Sequence, residues 1–324
     1  MTGPIQLVAY MTSRCNLRCE FCRRQRGDID RKVPDVESLL LEQVFDMFPS
    51  ITGVSVAGFG EPLLAKNIDE TIAYCFKQRK NLVMSTNGLA LEGHEESIAW
   101  RRFLHVSLSV NESDHERYKE TTGVDGLEKV IEAARFFKST GVKLGFSFVV
   151  GANNWDRMTE YIDFAKQHGA DFIALFNTLP HYDGEGGDDW FRSRVLTTKN
   201  RRYMNSNERI RKHAAKIGVT VSMWPQPLGD YETCPRGCSS PFNMFGIDGL
   251  GRYTGCCRVL PPSDETGNID EGPALWAASG HLNHLRDMMR GKIPLEFPCT
   301  ECFGSYLPRG GWFERACQCV PTPR

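Results

Sequence analysis

The 324-residue sequence lacks the features that mark export or insertion into a membrane. Met1–Tyr10 contains no basic start followed by a long apolar run, and no apolar stretch approaches the roughly 20 residues of a transmembrane helix. An excess of one charge is also missing, because 39 Lys and Arg residues face 40 Asp and Glu residues and the net charge is −1. Nucleic acids and anionic membranes favour a one-sided basic excess. We therefore expect a cytoplasmic protein that binds neither a nucleic acid nor a membrane.

Cysteine, by contrast, is abundant: the chain has twelve. Eleven of them lie in two groups near the two ends, and only Cys75 stands alone, inside a helical pattern that predicts a core position. Because an export signal is missing and the cysteines are bunched at short spacings, a disulfide framework is disfavoured. Bunched thiols in a reducing compartment indicate metal ligands.

The first two-thirds of the chain alternates strand and helix patterns. Short apolar segments rich in Val, Ile, Leu and Phe are typical of buried parallel strands, and periodic helical patterns separate them. This alternation predicts an α/β fold, a partial (β/α)6 barrel whose functional groups lie at the carboxyl ends of its strands. The predicted strands are Ile5–Thr12, Gly53–Gly58, Asn81–Thr86, His105–Val110, Val142–Val150 and Asp171–Asn177. The predicted helices are Val36–Phe48, Ile68–Gln78, Leu127–Ser139 and Trp155–His168, with Gly141 and Gly169 as caps.

From about Pro225 the composition shifts towards Pro, Gly and Cys. We predict two domains, a barrel over 1–225 and a small cysteine-rich domain over 226–324. So little apolar content suggests that the second domain needs a metal centre to fold. The elements predicted around and beyond the boundary are a helix at Asn205–Ile217, a strand at Val219–Trp224, a hairpin at Phe245–Tyr253 that turns at Asp248-Gly249, and one helix at Pro273–Met289.

The first cysteine group has the form C-x3-C-x2-C, with Cys15, Cys19 and Cys22 directly after the first strand. Thiolates suit both zinc and iron–sulfur clusters, but a structural zinc site uses four protein ligands. Three cysteines on a four-iron cubane leave one iron open to a small chelating ligand, such as the amino and carboxylate groups of a methionine moiety. The alternative is a zinc knuckle that borrows a distant fourth cysteine.

The cysteine motif and the motifs that follow it resemble the radical SAM superfamily over roughly residues 5–180. The resemblance implies that Cys15, Cys19 and Cys22 hold a [4Fe-4S] cluster, and that S-adenosylmethionine (SAM) binds its open iron. Reductive cleavage of SAM would then give a 5′-deoxyadenosyl radical. A reductant such as flavodoxin or ferredoxin would supply the electron.

The same resemblance implies SAM contacts at the ends of successive strands. Phe21 fills the aromatic position whose backbone contacts adenine in the family. Gly60-Glu61-Pro62 looks like the family's GEP motif, in which Glu61 would accept hydrogen bonds from the SAM ammonium group and Gly60 would allow close backbone approach. Ser85-Thr86-Asn87-Gly88 ends the third strand, and Ser107-Leu108-Ser109 ends the fourth near the ribose, with Ser109 where many members have Asp. Asn153 follows the fifth strand. Taken singly, several of these motifs would predict only turns.

The second cysteine group resembles the SPASM/twitch extension of radical SAM enzymes. Cys238 and Cys256 flank Gly251 in the expected spacing, and Cys299-x2-Cys302 follows. The resemblance implies that these four thiolates close one auxiliary [4Fe-4S] cluster suited to electron transfer. A full SPASM domain would continue with cysteine at position 308, which is Pro here. Two alternatives stay open: a structural zinc site, and a second auxiliary cluster that uses Cys234, Cys317 and Cys319.

Cys257 follows a predicted ligand directly. Its thiol could donate a hydrogen atom to a substrate radical, or it could be an alternative ligand or a buried small side chain.

The substrate is the least determined feature. The resemblance is to small twitch-domain dehydrogenases and epimerases of carbohydrates and aminocyclitols in antibiotic biosynthesis. It implies an oxidoreductase or epimerase acting on a carbinol carbon of a sugar, aminosugar, aminocyclitol or nucleoside. An acidic loop at His181–Trp190 could bind amino groups, or could simply be solvated. The alternatives are a peptide-modifying maturase, disfavoured because a winged-helix peptide-recognition pattern is missing ahead of the first strand, and a non-catalytic metal-binding scaffold.

Overall fold

The computed structural model describes residues 3–25, 32–178, 189–225, 227, 238–256 and 266–294. Within these residues, one nine-stranded sheet carries the architecture, with the strand order β7-β6-β5-β4-β3-β2-β1-β8-β9. Every neighbouring pair is parallel except β8 and β9. The strands are β1 Gln6–Tyr10, β2 Gly53–Ala57, β3 Asn81–Thr86, β4 His105–Ser109, β5 Leu144–Val150, β6 Phe172–Asn177, β7 Val221–Met223, β8 Met244–Ile247 and β9 Tyr253–Thr254.

Helices connect the strands and cover one face of the sheet. Alternate strand residues, such as Leu82 and Met84 of β3, are buried there in the main hydrophobic core. Among the described helices, none is long and apolar enough to span a bilayer. The helices are α1 Ser38–Met47, α2 Ile68–Lys77, α3 His115–Thr122, α4 Leu127–Thr140, α5 Met158–Gln167, α6 Asp189–Arg194, α7 Arg201–Ile217, α8 Ser240–Asn243, α9 Leu275–Ala278 and α10 Gly280–Arg290.

The predicted α/β fold with a parallel, barrel-like sheet is confirmed. The six predicted strands all form, each with ends within two residues of the expectation. Gly141 and Gly169 follow α4 and α5 with φ near +77° and +74°, the left-handed conformation that glycine adopts without strain.

The hairpin forms at the predicted place, and it joins the sheet. Asp248 shapes the turn, because its Oδ1 accepts hydrogen bonds from the backbone N–H groups of Leu250 and Arg252 at 3.0 and 3.1 Å. Strand β8 then pairs in parallel with β1, with Leu7 opposite Phe245. The strand after which the first cysteine group begins is therefore flanked by β2 on one side and β8 on the other. The domain division at residue 225 stays a prediction.

The single helix predicted at Pro273–Met289 is wrong. Ser279 leaves the helical region at ψ 123° and caps the second of two helices, since its hydroxyl oxygen accepts a hydrogen bond from the N–H of Leu282 at 3.2 Å. Helix α3 was not predicted. Its sequence buries only Tyr118 and Thr122, so it lacks the apolar periodicity that indicates a helix.

Candidate active site

The segment that carries the first cysteine group, residues 11–25 and named here the cysteine loop, begins where β1 ends. The carboxyl ends of parallel strands share one edge of the sheet, so the loop meets the residues that follow β2. There the backbone N–H of Gly60 donates to the carbonyl of Thr12 at 3.0 Å, and that of Glu61 donates to the carbonyl of Arg14 at 2.7 Å. A Cβ atom on Gly60 would lie 2.0 Å from the Arg14 carbonyl oxygen. Only glycine fits this contact.

Helix α3 holds the other side of the cysteine loop. The N–H groups of Arg18 and Glu20 donate to the carbonyls of Thr122 and Thr121 at 2.8 and 2.9 Å. The last carbonyls of a helix have no partner inside the helix, so they are natural acceptors for a neighbouring loop. Helix α3, which the sequence patterns did not predict, thus supports the cysteine loop.

Asn87, at the end of β3, gives the cysteine loop a third support. Its side-chain Nδ2 donates to Asn16 Oδ1 at 2.7 Å and lies 3.9 Å from the sulfur of Cys15. Its backbone N–H donates to Glu61 Oε2 at 2.7 Å. The sequence analysis named Asn87 only within the Ser85-Thr86-Asn87-Gly88 motif, and the reach of its side chain to Cys15 depends on how three strands pair.

Glu61 is almost completely buried, at 2% exposure. Its Oε1 accepts hydrogen bonds from the Thr86 hydroxyl and from the N–H of Leu63, and its Oε2 accepts the bond from Asn87. Burial raises the pKa of Glu61 to about 7, although these hydrogen bonds oppose the rise. The carboxylate ties the end of β2 to the end of β3. A contact of Glu61 with the SAM ammonium group stays a prediction.

The three thiols of the cysteine loop lie close enough to influence one another and form no disulfide. Burial is the largest cause that raises the pKa of each, and for Cys19 the neighbouring thiols Cys22 and Cys15 raise it further. Three thiolates in this setting would therefore be unfavourable without a positive centre. An iron–sulfur or metal centre supplies that charge, so the donor set fits one.

The three thiols do not form a compact site for a single metal ion. Among the described residues, no three His, Cys, Asp or Glu side chains gather closely enough to hold one metal ion. Zinc bound to sulfur at about 2.3 Å needs its thiolates packed tightly around one point. Ligands of a cubane bind different irons and stand further apart.

A buried polar atom close to the cysteine loop is left without a partner. Tyr118 is fully buried on α3, and its hydroxyl makes no hydrogen bond within the described residues. Burial is the main cause that raises the pKa of Tyr118, and the nearby Cys19, Cys15 and Glu61 raise it further. An unpaired buried hydroxyl is costly, so this atom fits a site that gains an acceptor when a cofactor binds.

The predicted serines share the face of the sheet opposite the helices. Ser85 of β3 pairs with Ser107 of β4, and Ser109 pairs with Ser147 of β5. These positions alternate with the buried core residues of the same strands, as in Ser107 between Val106 and Leu108. The sequence did not single out Ser147, whose place in the row follows only from strand register.

Two predicted contacts are less clearly placed. Phe21 is half-buried in the cysteine loop, and the side chain of Asn153 is exposed after β5. The next residue, Asn154, is buried and holds the turn instead, through bonds to the Gly151 N–H at 2.6 Å and the Val149 carbonyl at 3.0 Å. SAM contacts at Phe21 and Asn153 stay predictions.

The second cysteine group is described in part. Cys256 is buried in a small apolar cluster with Leu285, Met288 and Met289, and Cys238 packs against the same cluster. The structure thus brings together two of the four predicted auxiliary ligands. Several predicted residues lie outside the described part of the chain: Cys234, Cys257, Cys299, Cys302, Cys317, Cys319 and the acidic loop before Asp189.

The chain is similar to known proteins in both sequence and structure. Residues 9–165, close to half of the chain, match the model of the radical SAM superfamily. An AdoMet-dependent heme synthase of Methanosarcina barkeri is 23% identical over 356 residues, covering 100% of this chain and 98% of the relative. The PqqA peptide cyclase of Gluconobacter oxydans is 23% identical, covering 98% and 86%. The crystal structure of Streptococcus suis SuiB bound to the precursor peptide SuiA has a TM-score of 0.71 at 19% identity, covering 96% of this chain and 72% of that one.

These findings confirm two predicted cofactors, a [4Fe-4S] cluster and S-adenosylmethionine. That Cys15, Cys19 and Cys22 hold the cluster stays a prediction. The predicted likeness to carbohydrate and aminocyclitol dehydrogenases finds no support among these relatives. One of these relatives is a peptide cyclase, and one similar structure holds a precursor peptide.

Proposed function

We propose that this chain, which belongs to the radical SAM superfamily, is a peptide-modifying enzyme that abstracts hydrogen from a residue of its substrate. The observation that carries the radical chemistry is the cysteine loop itself. Three thiols follow β1, and the ends of β2, β3 and α3 hold their loop through backbone and side-chain hydrogen bonds. Such support orders the ligands before any cluster is present.

In this proposal Cys15, Cys19 and Cys22 are the cluster ligands. When bound, the cluster and SAM together supply a carbon radical that abstracts hydrogen. The chain's own residues hold this centre in place: Gly60 lets the β2 loop approach the cysteine loop, and Asn87 directs an N–H towards the sulfur of Cys15. Hydrogen bonds to ligand sulfurs are one of the means by which proteins tune such clusters.

In this proposal, SAM and the substrate bind along the row of serines. Ser85, Ser107 and Ser109 lie on the sheet face that the helices leave open, at the edge where the cysteine loop begins. Hydroxyl groups there can donate to and accept from the ribose of SAM and the backbone of an extended substrate. A site open along a sheet edge admits a chain as readily as a small molecule.

Likeness over almost the whole chain supports a peptide substrate. The peptide cyclase relative matches 98% of this chain, so the likeness extends beyond the part that binds the cluster. The heme synthase relative matches the whole chain as well, which makes a tetrapyrrole the competing substrate. In the proposed peptide-modifying enzyme, an auxiliary cluster on Cys238, Cys256, Cys299 and Cys302 would accept the electron left on the substrate.

The test measures the transfer of deuterium from the substrate to 5′-deoxyadenosine. Anaerobically reconstituted protein is incubated with SAM and dithionite, and with one of three probes: peptide libraries built from deuterated amino acids, deuterated sugars and aminocyclitols, or deuterated porphyrinogens. We expect deuterium to enter 5′-deoxyadenosine only with a peptide. Transfer from a sugar or a porphyrinogen would replace the peptide proposal with that substrate class. Cys19→Ala is the control and should form no 5′-deoxyadenosine with any probe.

A further inference from the structure

Helix α7 concentrates positive charge on one element of the fold. Six of its residues are Lys or Arg and one is Glu, although the whole chain has a net charge of −1. The rest of the chain is therefore net acidic. Helix α4, by comparison, mixes three basic and two acidic residues along its length. A surface of one sign attracts partners of the opposite sign, so α7 is where an anionic partner is drawn.

Three of these side chains form a row along the solvent face of α7. Arg202, Arg209 and Lys216 follow one another at intervals of seven residues, close to two full turns of a helix, so they lie above one another. All three are exposed. The opposite face of the helix, with Tyr203 and Ile210, is buried in the main core. We name Arg202, Arg209 and Lys216 the basic stripe, which is about 21 Å long.

The basic stripe has no acidic partner among the residues that the structure describes. Two neighbouring side chains on α7 do have one, since Lys212 pairs with Glu208 at 2.8 Å and His213 with Asp163 at 2.6 Å. Arg202 also lies in the first turn of the helix, where the helix dipole disfavours a cation. The stability of the helix therefore gives no reason for these charges, whereas an anionic partner does.

The basic stripe begins at the sheet edge that carries the candidate active site. The segment ahead of α7 is tied to the carboxyl end of β6, because the side chain of Asn177 exchanges two hydrogen bonds with the backbone of Leu196, both at 2.9 Å. Tyr203, next to Arg202, donates to the carbonyl of Pro225 after β7 at 2.6 Å. From there α7 runs towards the start of β7. A ligand on the basic stripe thus has one end at this edge.

These features fit an extended acidic peptide better than other anions. An extended peptide of about six residues spans the basic stripe. The row is one side chain wide, which suits a single chain, whereas RNA or a membrane would also meet the acidic remainder of the protein. An electron carrier must approach the cluster, and the cysteine loop follows β1, five strands away from β6 in the sheet. A peptide substrate can bind at such a distance, because the residues after its acidic segment bridge the gap.

We propose that the basic stripe docks an acidic segment of the peptide substrate, outside the part that is modified. This inference rests on the peptide substrate of the proposed function and adds how that substrate is recognised. Carboxylates of Asp and Glu pair with the guanidinium and ammonium groups of the stripe. Each exposed pair contributes little alone, so affinity comes from several pairs acting together and weakens as salt rises.

The experiment measures binding to full-length protein. The stripe variant combines three substitutions: Arg202→Glu, Arg209→Glu and Lys216→Glu. The control variant makes the same change of net charge at three exposed bases elsewhere on the surface: Lys77→Glu, Arg101→Glu and Lys129→Glu. A third variant keeps the charge of the stripe by exchanging Arg for Lys and Lys for Arg. Fluorescence anisotropy is recorded with a labelled peptide of alternating Glu and Ser, with its Lys and Ser counterpart, and with a single-stranded RNA.

We expect the acidic peptide to bind wild-type protein, and to bind more tightly at low than at physiological salt. The stripe variant should lose at least about tenfold in affinity, because like charges replace opposite ones at three positions. The control variant and the charge-keeping variant should change by less than about twofold. Arg202→Glu places an acid where the helix dipole favours it, so the fold should be retained, and the unfolding temperature checks this.

An equal loss of affinity in the stripe variant and the control variant would overturn the proposal, as would tighter binding of RNA than of the acidic peptide. The deuterium assay of the proposed function then separates the two proposals. For peptides that transfer deuterium, the stripe variant should raise KM at least about tenfold when an acidic segment is present and leave kcat unchanged. Transfer that depends neither on acidic residues nor on the stripe would refute the stripe alone. The lack of transfer from any peptide would refute the proposed function, and with it a substrate as the ligand of the stripe.

Discussion

The two cysteine regions of this molecule are held in different ways. In the cysteine loop, the protein itself provides the support: Gly60 and Glu61 bind one side, α3 binds the other, and Asn87 reaches Cys15. Around Cys238 and Cys256, the support within the described residues is the apolar cluster that Leu285, Met288 and Met289 of α10 form. We infer that the first site is ordered before its cofactor binds, whereas the second depends on what it binds. Such a division suits a catalytic centre that must present an open iron and a second centre that closes around its cluster.

The largest effect that would test the ordered site is expected from Gly60→Ala. Its new Cβ would meet the Arg14 carbonyl at 2.0 Å, so the loop after β2 and the cysteine loop must move apart. A displacement of about 1 Å near reacting groups can lower a rate about a hundredfold. We expect at least this loss in 5′-deoxyadenosine formation, together with reduced iron content. Gly53→Ala is the matched control, because nothing lies within 4 Å of its added Cβ. Equal activity of the two variants would contradict the close contact.

Removal of iron tests the comparison directly. Hydrogen exchange is measured with and without a chelator in wild-type protein. We expect the N–H groups of Arg18 and Glu20 to stay protected, because their acceptors are carbonyls of α3. We expect α10 to lose protection, because Cys256 and Cys238 pack against its apolar residues and would lose the cluster proposed to hold them together. Loss of protection in both regions would show that the cysteine loop also depends on its cluster.

Glu61 provides a pH-dependent test on cluster-free protein. Its pKa in the fold is about 7, against 4.5 for an unperturbed side chain. The folded state therefore keeps a proton that the unfolded state releases between these two values. The contribution of Glu61 to stability is thus fully present below about pH 4.5 and falls as the pH rises towards 7. The full effect is at most about 3 kcal/mol. Denaturation of wild type and Glu61→Gln across this range should show their difference changing in that direction, with the wild type losing more. Parallel pH profiles would count against a raised pKa.

The sequence predicted the elements well where one local signal decides. Strand β3 was placed with both ends correct, because a short apolar run is bounded by polar residues on both sides. Helix α3 escaped because Tyr118 and Thr122 are its only buried residues, and the long helix was not divided because Ser279 resembles an ordinary helical serine until its cap is seen.

In the candidate site, too, the features that a local sequence signal determines were the ones that could be predicted. The thiols were recognisable from their spacing. Ser147 was not, because its place in the row of serines depends on strand register.

The smallest effect is expected from Asn87→Ala, which measures how much one side chain contributes to the stability of the cysteine loop. In Asn87→Ala, the Oδ1 of Asn16 and the N–H of Leu89 lose their partners, and Cys15 loses a donor. Unsatisfied groups of this kind cost about 1–2 kcal/mol when partly buried. We expect the free energy of unfolding of cluster-free protein to fall by about that amount. The midpoint potential of the cluster proposed on Cys15, Cys19 and Cys22 should also become more negative, because a hydrogen-bond donor to a ligand sulfur stabilises the reduced state. Asn153→Ala removes an exposed amide at the same sheet edge and should change neither quantity. If the two variants behave alike, the side chain of Asn87 does not help to order the cysteine loop. The loop is then held by the backbone contacts at Gly60 and α3 alone.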